Sequence, residues 1–394
     1  MTDLEHILPL WRELNETGAD YVLATIVAVQ GPSYRKPGAR MLIAPDGRRA
    51  GTVSGGCLEP EVARRAWWLT ESGPVVERYS TVEDEGDMPF GSGCGGVVFL
   101  LLERRRTAAP LLTALEAAFN RRTPLAIATV LDGPNIGERA FAGQADHVVE
   151  LLPTSQSPSF FPQSTSTSDA PLITALQNAA DLAFARAASI DQSVSIAATK
   201  ARIWADYRPA RPCLCIFGAG DDAKPLVNLA SELGWLVAVA DGRSHLATRD
   251  RFRNADAVNV LPIADLPGAA STHFDLRPTD AAVIMTHSFE QDSRILASLL
   301  SESQPALAYI GVLGPQRRTR EVLAEAARLL GLACPIDQAE KWLSQMNAPT
   351  GLDLGADTPA TIALSILAEV QQRVSAASGK PLCEVRAART TVSQ

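Results

Sequence analysis

The strongest constraint on the fold comes from residues 211–243, which read RPCLCIFGAGDDAKPLVNLASELGWLVAVADGR. An apolar run typical of a buried strand leads into a glycine-rich turn, a stretch with helical spacing of apolar residues, and a second apolar run. Three more short apolar runs follow, DAVNVLP, AAVIMTH and ALAYIGVLG, separated by helical or loop segments. Alternating strands and helices predict a C-terminal Rossmann-like, doubly wound parallel sheet, so the chain is α/β overall.

The turn in this segment matches the dinucleotide fingerprint GxGxxA at Gly218 and Gly220, and Asp241 ends the following strand. In such a unit the glycines let a pyrophosphate approach the helix N-terminus, and the acidic residue binds a ribose hydroxyl. Asp221 and Asp222 stabilise the start of the helix through its dipole but would repel a pyrophosphate. The sequence therefore predicts a nucleotide-binding type of fold, with NAD(P) binding as a weaker expectation.

Two other candidate groups follow predicted strands at the edge where such sheets bind ligands. His287 is interpreted either as a binding residue or as a hydrogen-bonded structural histidine. Gly314 precedes Arg317 and Arg318 at the start of a helix. The two arginines either hold an anionic group or form a solvated basic turn.

The pattern of apolar residues and turn signals in the N-terminal part predicts a mixed α+β domain. The expected elements are a helix at 4–14, strands at 21–30 and 94–104, a hairpin around residues 45–47, and a helix at 59–70. Residues 124–142 resemble the first strand and turn, which predicts two similar hairpins in one sheet.

The most unusual N-terminal feature is GTVSGGCLEPEV, where Ser54, Gly55, Gly56 and Cys57 lie between a strand and a helix. Glycine pairs permit backbone conformations closed to other residues and leave room for a ligand. Thiols near helix N-termini have lowered pKa values and act as nucleophiles or metal ligands. Cys57 is thus a candidate reactive thiolate and metal contact; the alternative is a small buried residue at a strand–helix junction.

A second glycine-flanked cysteine occurs at Gly93, Cys94 and Gly95, just before a predicted strand. Two such loops in one domain suggest a cradle for an anionic ligand that prefers sulfur, such as a soft metal or a thiolate cofactor. Upstream polar residues that could join this cradle are Ser33, Arg35, Lys36 and Arg40.

Composition excludes several function classes. The net charge of −8 gives no support for binding nucleic acid or an anionic membrane. The N-terminus lacks the basic start and apolar run of a signal peptide, and no stretch is long and apolar enough to span a bilayer. A cytoplasmic location is therefore expected.

The six cysteines are too scattered for a disulfide framework, and no CxxC pair supports a structural zinc site. Cys213 and Cys215 are expected to be buried on one strand. A Ser/Thr/Pro-rich segment at 153–171 predicts a flexible insertion. We expect an N-terminal domain over 1–205 and a Rossmann-like domain over 206–394.

Several long motifs resemble the xanthine dehydrogenase accessory factor family, also called XdhC/CoxI. In the N-terminal part these are GPSYRKPGARMLI, GTVSGGCLEPEV and GSGCGGVVFLLLE. In the C-terminal part they are FGAGDDAKPL, VADGR, MTHSFEQD, YIGVLGPQRR and GLDLGADTPATIALSILAEV. The resemblance covers most of the chain apart from the Ser/Thr-rich insertion.

This resemblance implies a role in the maturation of molybdenum hydroxylases of the xanthine or carbon monoxide dehydrogenase type. Such proteins bind the molybdenum cofactor (molybdopterin), shelter it while its sulfido ligand is installed, and pass it to the apo-enzyme. The implied partners are the apo molybdenum hydroxylase and a cysteine desulfurase, and Cys57 matches the family's characteristic cysteine. The implied protein is a non-catalytic accessory factor rather than an enzyme, and a homodimer is left open.

The chain departs from the family pattern in the Rossmann part. Asp221 stands where the family commonly has histidine, Ser288 and Phe289 replace an acid or histidine, and Gly242 replaces a frequent proline. These changes argue against a function that needs a histidine or metal at that edge. Two alternatives stay open from the residues alone: an NAD(P)-binding oxidoreductase and a scaffold that only bridges two partners.

Overall fold

The protein is seen in a computed structural model that describes residues 2–80, 95–133, 135–143, 170–196, 199–261, 264, 266, 276–301 and 306–385. The chain divides into two compact units, Met1–Arg211 and Pro212–Gln394. Of the predicted insertion at 153–171, only Ala170 and Pro171 fall within the described residues.

The first unit contains a five-stranded antiparallel sheet with the order β3-β2-β1-β5-β4. Its strands are β1 (Val22–Gln30), β2 (Arg40–Ile43), β3 (Arg49–Gly51), β4 (Val75–Ser80) and β5 (Val97–Arg104). The register pairs Val22 with Ile43 on one side and with Arg104 on the other. Residues of β1 alternate between two apolar clusters, as strand geometry requires.

Three helices cover this first sheet. They are α1 (Thr2–Glu16), α2 (Glu59–Leu69) and α3 (Arg105–Arg121). Helices α1 and α3 pack with Tyr21 and Leu23 on one face, whereas α2 packs with Val22 and Ala24 on the other. Helix α2 thereby holds the loop that precedes it, residues 52–58, at the end of β3.

A second antiparallel sheet in the same unit has the order β7-β6-β9-β8. Its strands are β6 (Leu125–Val130), β7 (Arg139–Gly143), β8 (Ile190–Ile196) and β9 (Thr199–Arg208), and α4 (Ala170–Arg186) packs on one face. The prediction of two similar hairpins in one sheet is wrong: β1 and β2 belong to the first sheet, and β6 and β7 to this one. The reason is that β6 takes β9 as its other neighbour, a strand that lies far along the chain.

The second unit is a parallel sheet with the order β12-β11-β10-β13-β14, which confirms the predicted Rossmann-like fold. Its strands are β10 (Cys213–Phe217), β11 (Leu236–Asp241), β12 (Ala257–Val260), β13 (Ala281–Ile284) and β14 (Tyr309–Val312). Its helices are α5 (Ala223–Glu232), α6 (Phe289–Leu299), α7 (Gln316–Leu329), α8 (Pro335–Leu343) and α9 (Pro359–Val374). Helices α6, α7 and α8 cover one face, and α5 and α9 the other.

Cys213 and Cys215 are both buried on the same face of β10, as predicted. Their sulfur atoms are 3.6 Å apart, and both are free thiols. In the described part of the chain, no helix has the length and apolarity needed to cross a bilayer.

Candidate functional site

The loop at residues 52–58 is organised by one buried pair, Ser54 and Glu59. The Ser54 hydroxyl donates to the Glu59 carboxylate, and the other Glu59 oxygen accepts from the N–H groups of Val53 at 3.1 Å and Ser54 at 2.7 Å. Ser54 Oγ in turn accepts from the N–H groups of Gly56 and Leu58, each at 3.1 Å. The two side chains thus satisfy four backbone N–H groups of the loop, of which that of Leu58 lies at the N-cap position of α2.

Glu59 is the electrostatic centre of this loop. Burial alone would raise the pKa of Glu59, but hydrogen bonds from the Ser54 side chain and backbone outweigh it and lower the pKa below its ordinary value. Sequence reasoning did not single out Glu59. The available signal was its place two residues after the Gly-Gly-Cys motif, at the first position of the predicted helix.

Cys57 lies on the outer side of this loop. It is exposed, so the alternative of a buried packing residue is wrong, and its Sγ lies 3.5 Å from Ser54 Oγ. Gly56 has a φ of +113°, and no described atom lies within 4 Å of a Cβ placed there. Glycine at 56 is therefore needed for its backbone conformation, and the space beside the thiol is open.

Two backbone donors in this loop are available to a ligand. Within the described part of the chain, the N–H groups of Gly55 and Cys57 have no acceptor. They lie just before α2, where the helix dipole favours negative charge. Glu59 and Glu61 in the first turn of α2 oppose that effect with their own charges.

A second loop, residues 31–38, lies against the first. The Tyr34 ring is 3.8 Å from a Cβ placed on Gly55, and 72% of Tyr34 is exposed. An exposed aromatic face can stack a planar ring. Tyr34 was not predicted as a site residue, although an aromatic residue between Gly31 and Gly38 in a Gly/Pro-rich loop was a signal.

The described end of the second Gly/Cys loop, Gly95 and Gly96, lies against the start of the loop at residues 31–38. A Cβ on Gly96 would overlap the carbonyl oxygen of Pro32, and Gly31 lies against the backbone of Gly95 and Gly96. Gly95 has a φ of +64° with open space beside it. Gly93 and Cys94 lie outside the described residues, so their predicted place at the site stays a prediction.

Two of the predicted cationic residues upstream, Arg35 and Arg40, form ion pairs with other parts of the first unit. Arg35 forms an ion pair with Asp3 on α1. Arg40 is only 3% exposed and pairs with Asp206 on β9 at 2.8 Å, which joins the two sheets of this unit. Burial, together with repulsion from Arg208, lowers the pKa of Arg40 to about 10. The idea that Arg40 adds charge to the ligand site at the Cys57 loop is therefore wrong, because its guanidinium is enclosed.

The glycine turn of the second unit, at Gly218 and Gly220, is packed against the protein's own atoms. Gly218 has a φ of +130°, and a Cβ there would overlap the carbonyl of Met285 after β13. Asp222 Oδ1 lies against Gly220. Both glycines thus have a structural explanation that requires no pyrophosphate.

Asp241 is buried and already carries four hydrogen bonds. Its carboxylate accepts from Ala219 N–H at 2.8 Å, from Arg243 N–H at 2.8 Å, and from the Arg243 guanidinium at 2.7 and 2.9 Å. Burial raises the pKa of Asp241, but these hydrogen bonds outweigh it and lower the pKa. Its predicted contact with a ribose stays a prediction, and it would require exchanging these partners.

Two other candidates at this edge, His287 and Arg317, also have carboxylate partners. His287 Nε2 lies 2.9 Å from Asp222 Oδ2, and its backbone has a φ of +63°. Arg317 at the start of α7 is 91% exposed and lies 3.4 Å from Glu321. Gly314 has a φ of +119° with open space beside it.

Arg318, the neighbour of Arg317, points into a buried network instead. Its guanidinium pairs at 2.7 Å with Asp292, which also accepts from the Thr286 hydroxyl. The network joins the ends of β13, α6 and α7. Among the described residues, no group of three or more His, Cys, Asp or Glu side chains could hold a metal ion.

Comparison with known proteins agrees with the two-part architecture. Residues 14–80 match the XdhC and CoxI family, and residues 214–370 match the XdhC Rossmann domain. A protein of Bacillus subtilis (strain 168), named as a probable xanthine dehydrogenase component, is 30% identical over 361 residues, which cover 91% of this chain and 94% of that protein. The chain belongs to the XdhC and CoxI family.

Two further relatives of this XdhC/CoxI protein extend the comparison. The "Molybdenum cofactor insertion chaperone PaoD" of Escherichia coli (strain K12) is 27% identical over 358 residues, which cover 90% of this chain and 83% of PaoD. A Bacillus halodurans crystal structure described as a xanthine dehydrogenase matches with a TM-score of 0.65 and 28% identity, covering 95% of this chain and 96% of that one. The loop with Gly55, Gly56 and Cys57 falls within the first matched region.

Proposed function

We propose that this XdhC/CoxI protein is a maturation factor for a molybdenum hydroxylase: it binds the molybdenum cofactor and delivers the sulfurated form to the apo-enzyme. The similarity of 90% of this chain to a relative named as a molybdenum cofactor insertion chaperone supports this role. The proposed activity is binding and release of a cargo, which requires no turnover chemistry of the protein.

The observation that carries the proposal is the composition of the Cys57 loop. The cargo is a planar pterin with a dithiolene and a phosphate, so it needs anion donors, a flat apolar contact and tolerance of sulfur chemistry. The free N–H groups of Gly55 and Cys57 would hold phosphate oxygens. Tyr34 would stack on the ring, and the exposed Cys57 thiol would contact the metal or relay sulfur.

Further parts of the proposal follow from the same role. Sulfur is supplied by a cysteine desulfurase, and the recipient is an apo molybdenum hydroxylase of the xanthine or carbon monoxide dehydrogenase type. Homologues named for a cofactor chaperone and for a component of xanthine dehydrogenase support a molybdenum enzyme as partner. The site of action is the cytoplasm, where cofactor assembly and apo-enzyme would meet.

The test is the molybdenum and pterin content of the intact protein, purified anaerobically from a host that makes the cofactor. Wild type is compared with Cys57→Ala and with Cys334→Ala, which removes another exposed thiol in the other unit. We expect near-stoichiometric cofactor in wild type and Cys334→Ala, and loss in Cys57→Ala. Folded wild-type protein that carries no cofactor would contradict the proposal. Full maturation activity in a Cys57→Ala protein that binds both partners would favour the scaffold alternative.

The oxidoreductase alternative has less support. It depends on NAD(P) at the turn around Gly218, where the Asp222 carboxylate lies against Gly220 and Asp241 is saturated with internal hydrogen bonds. A pyrophosphate would meet negative charge there. Titration with NAD(H) and NADP(H), followed by thermal shift, tests this alternative, and we expect no saturable stabilisation.

A further inference from the structure

Two arginines of the first unit, Arg40 on β2 and Arg208 on β9, are held side by side by the same two acceptors. Oδ2 of Asp206 accepts from Arg40 Nη2 and from Arg208 Nε, each at 2.8 Å. The carbonyl oxygen of Gly38 accepts from Arg40 Nη1 at 3.0 Å and also from Arg208 Nη2. Two guanidinium cations therefore share one carboxylate.

Most hydrogen-bond donors of this arginine pair have no acceptor in the part of the chain that the structure describes. A guanidinium presents five N–H donors, and each of the two groups uses only two of them there. Arg40 is only 3% exposed, and its buried Nε–H is among the unused donors. Leaving a buried charged donor without a partner costs free energy, so this position favours a further acceptor.

A cavity of about 40 Å³ lies beside the arginine pair. Both arginines line it, and so do Gly38, Thr123 and Arg211. A buried water needs about 10–15 Å³ of such space, so the cavity has room for about three waters or for one small oxyanion. The Arg208 side chain is 28% exposed, so solutes can reach the pair from that side.

The charges around this arginine cavity do not cancel. Arg211 pairs with Glu5 at 2.7 Å. Asp3, a carboxylate in the lining, pairs with Arg35. These two ion pairs are neutral, whereas the cluster at Asp206 has two positive charges and one negative charge. Among the described residues of the lining and their partners, the excess is therefore one positive charge.

We propose that the arginine cavity binds a small oxyanion through the unused N–H groups of Arg40 and Arg208. Carboxylate and phosphate oxygens match the fork of N–H donors on a guanidinium and form charge-assisted, often paired hydrogen bonds with it. One bound monoanion would balance the excess charge and supply acceptors to the buried donors. The site goes beyond the proposed function, since none of the described residues that line it belongs to the loop at residues 52–58.

Water is the alternative occupant of the arginine cavity. Water oxygens can accept from the same N–H groups, but water carries no charge and leaves the excess positive charge in place. The two occupants therefore differ in one measurable respect. Only an oxyanion site makes the stability of the folded protein depend on the kind of anion in solution when the ionic strength is constant.

The experiment is thermal unfolding of the intact protein with increasing inorganic phosphate or sodium acetate, with sodium chloride added to keep the ionic strength constant. An anion that binds only the folded state raises the melting temperature as its concentration exceeds the dissociation constant. We expect such a rise with phosphate or acetate relative to chloride alone. A larger rise with phosphate identifies a phosphoryl group as the preferred ligand, and a larger rise with acetate identifies a carboxylate.

The test variant is Arg208→Gln, and its matched control is Arg48→Gln. Arg48 lies in the turn between β2 and β3 and pairs with Glu13 and Asp46, each at 2.7 Å. Both substitutions remove one positive charge, but only the change at Arg208 alters the cavity. We expect the apparent affinity for the preferred anion to fall about tenfold or more in Arg208→Gln, since charge-assisted hydrogen bonds are lost, and to stay at the wild-type value in Arg48→Gln.

The same melting temperature in all three anions, or an equal response of Arg208→Gln and wild type, would overturn the proposal and leave water as the occupant. If Arg208→Gln does not fold, crystals of the wild-type protein soaked in selenate decide. An anomalous selenium peak beside Arg40 and Arg208 supports the oxyanion site, and electron density for water alone refutes it.

Discussion

The two units each place a glycine turn between a strand and a helix, but the turns have opposite characters. In the first unit, Gly56 faces open space, and Cys57 is exposed beside it. In the second unit, Gly218 packs against the backbone of Met285 and Thr286 just after β13, and Asp241 is saturated by internal partners. The comparison teaches that a glycine motif marks a position where another group can come close to the backbone. The neighbouring residues in the structure show whether that group is the protein's own backbone or leaves room for a ligand.

The largest expected difference between the turns concerns stability. Gly218→Ala places a Cβ against the Met285 carbonyl in a left-handed conformation, and we expect it to lower the free energy of unfolding by about 3 kcal/mol or more. Gly56→Ala has a comparable backbone conformation but no clash, so its cost should be about 1–2 kcal/mol. Denaturant unfolding measures both. An equal loss of unfolding free energy in the two variants would contradict the proposed difference between the turns.

The two turns share a buried carboxylate whose pKa is lowered, Glu59 in one and Asp241 in the other. A lowered folded-state pKa contributes stability above the ordinary values, 4.5 and 3.8, which is lost as the pH falls through the folded-state pKa. We expect Glu59→Gln and Asp241→Asn each to cost about 1–3 kcal/mol at neutral pH. Each variant should also lose less stability than wild type on acidification, measured by unfolding across the acid range. A steeper acid loss in either variant would contradict this.

Replacing Tyr34, which lies beside the glycine turn of the first unit, should weaken cofactor binding without changing the stability of the protein. Because 72% of its surface is exposed, Tyr34→Ala should leave the free energy of unfolding nearly unchanged. We expect cofactor retention to fall about tenfold, the usual effect of removing one stacking aromatic. Trp68→Ala, an exposed aromatic on α2, is the control and should retain cofactor like wild type. Equal losses in the two variants would remove Tyr34 from the site.

The smallest expected effect is at His287. Its side chain is 63% exposed, so its pair with Asp222 is worth at most about 1 kcal/mol. His287→Asn keeps a residue type that tolerates positive φ. We expect a change in unfolding free energy below about 1 kcal/mol and unchanged molybdenum content. Loss of molybdenum in this variant would show that the Rossmann edge takes part in cargo binding.

Sequence reasoning succeeded where the information is local. The strand, turn and helix around Gly218 were predicted, and so was the loop at Cys57, because hydrophobic periodicity and glycine placement are properties of short segments. It failed where partners are distant. Arg40 pairs with Asp206, 166 residues away, and β6 pairs with β9, so neither partner could be read from nearby residues.

Within the site, the same limit applied to side chains. The position of Glu59 was visible, but its hydrogen bonds to Val53 and Ser54 depend on how the loop folds back on α2. Tyr34 lies next to Gly55 because the loop that joins β1 to β2 comes back against the loop at residues 52–58. A single sequence contains no pattern that specifies these returns.

The most direct test of cargo binding at the Cys57 loop is thiol protection in the cofactor-loaded protein. Loaded and stripped proteins are alkylated anaerobically, and the modified cysteines are quantified by peptide mass spectrometry. Cys334 and Cys383, both exposed, serve as internal controls in the same molecule. The account predicts that bound cofactor protects Cys57 and leaves the two controls as reactive as in the stripped protein. Equal alkylation of Cys57 in both states, with molybdenum still bound, would contradict it.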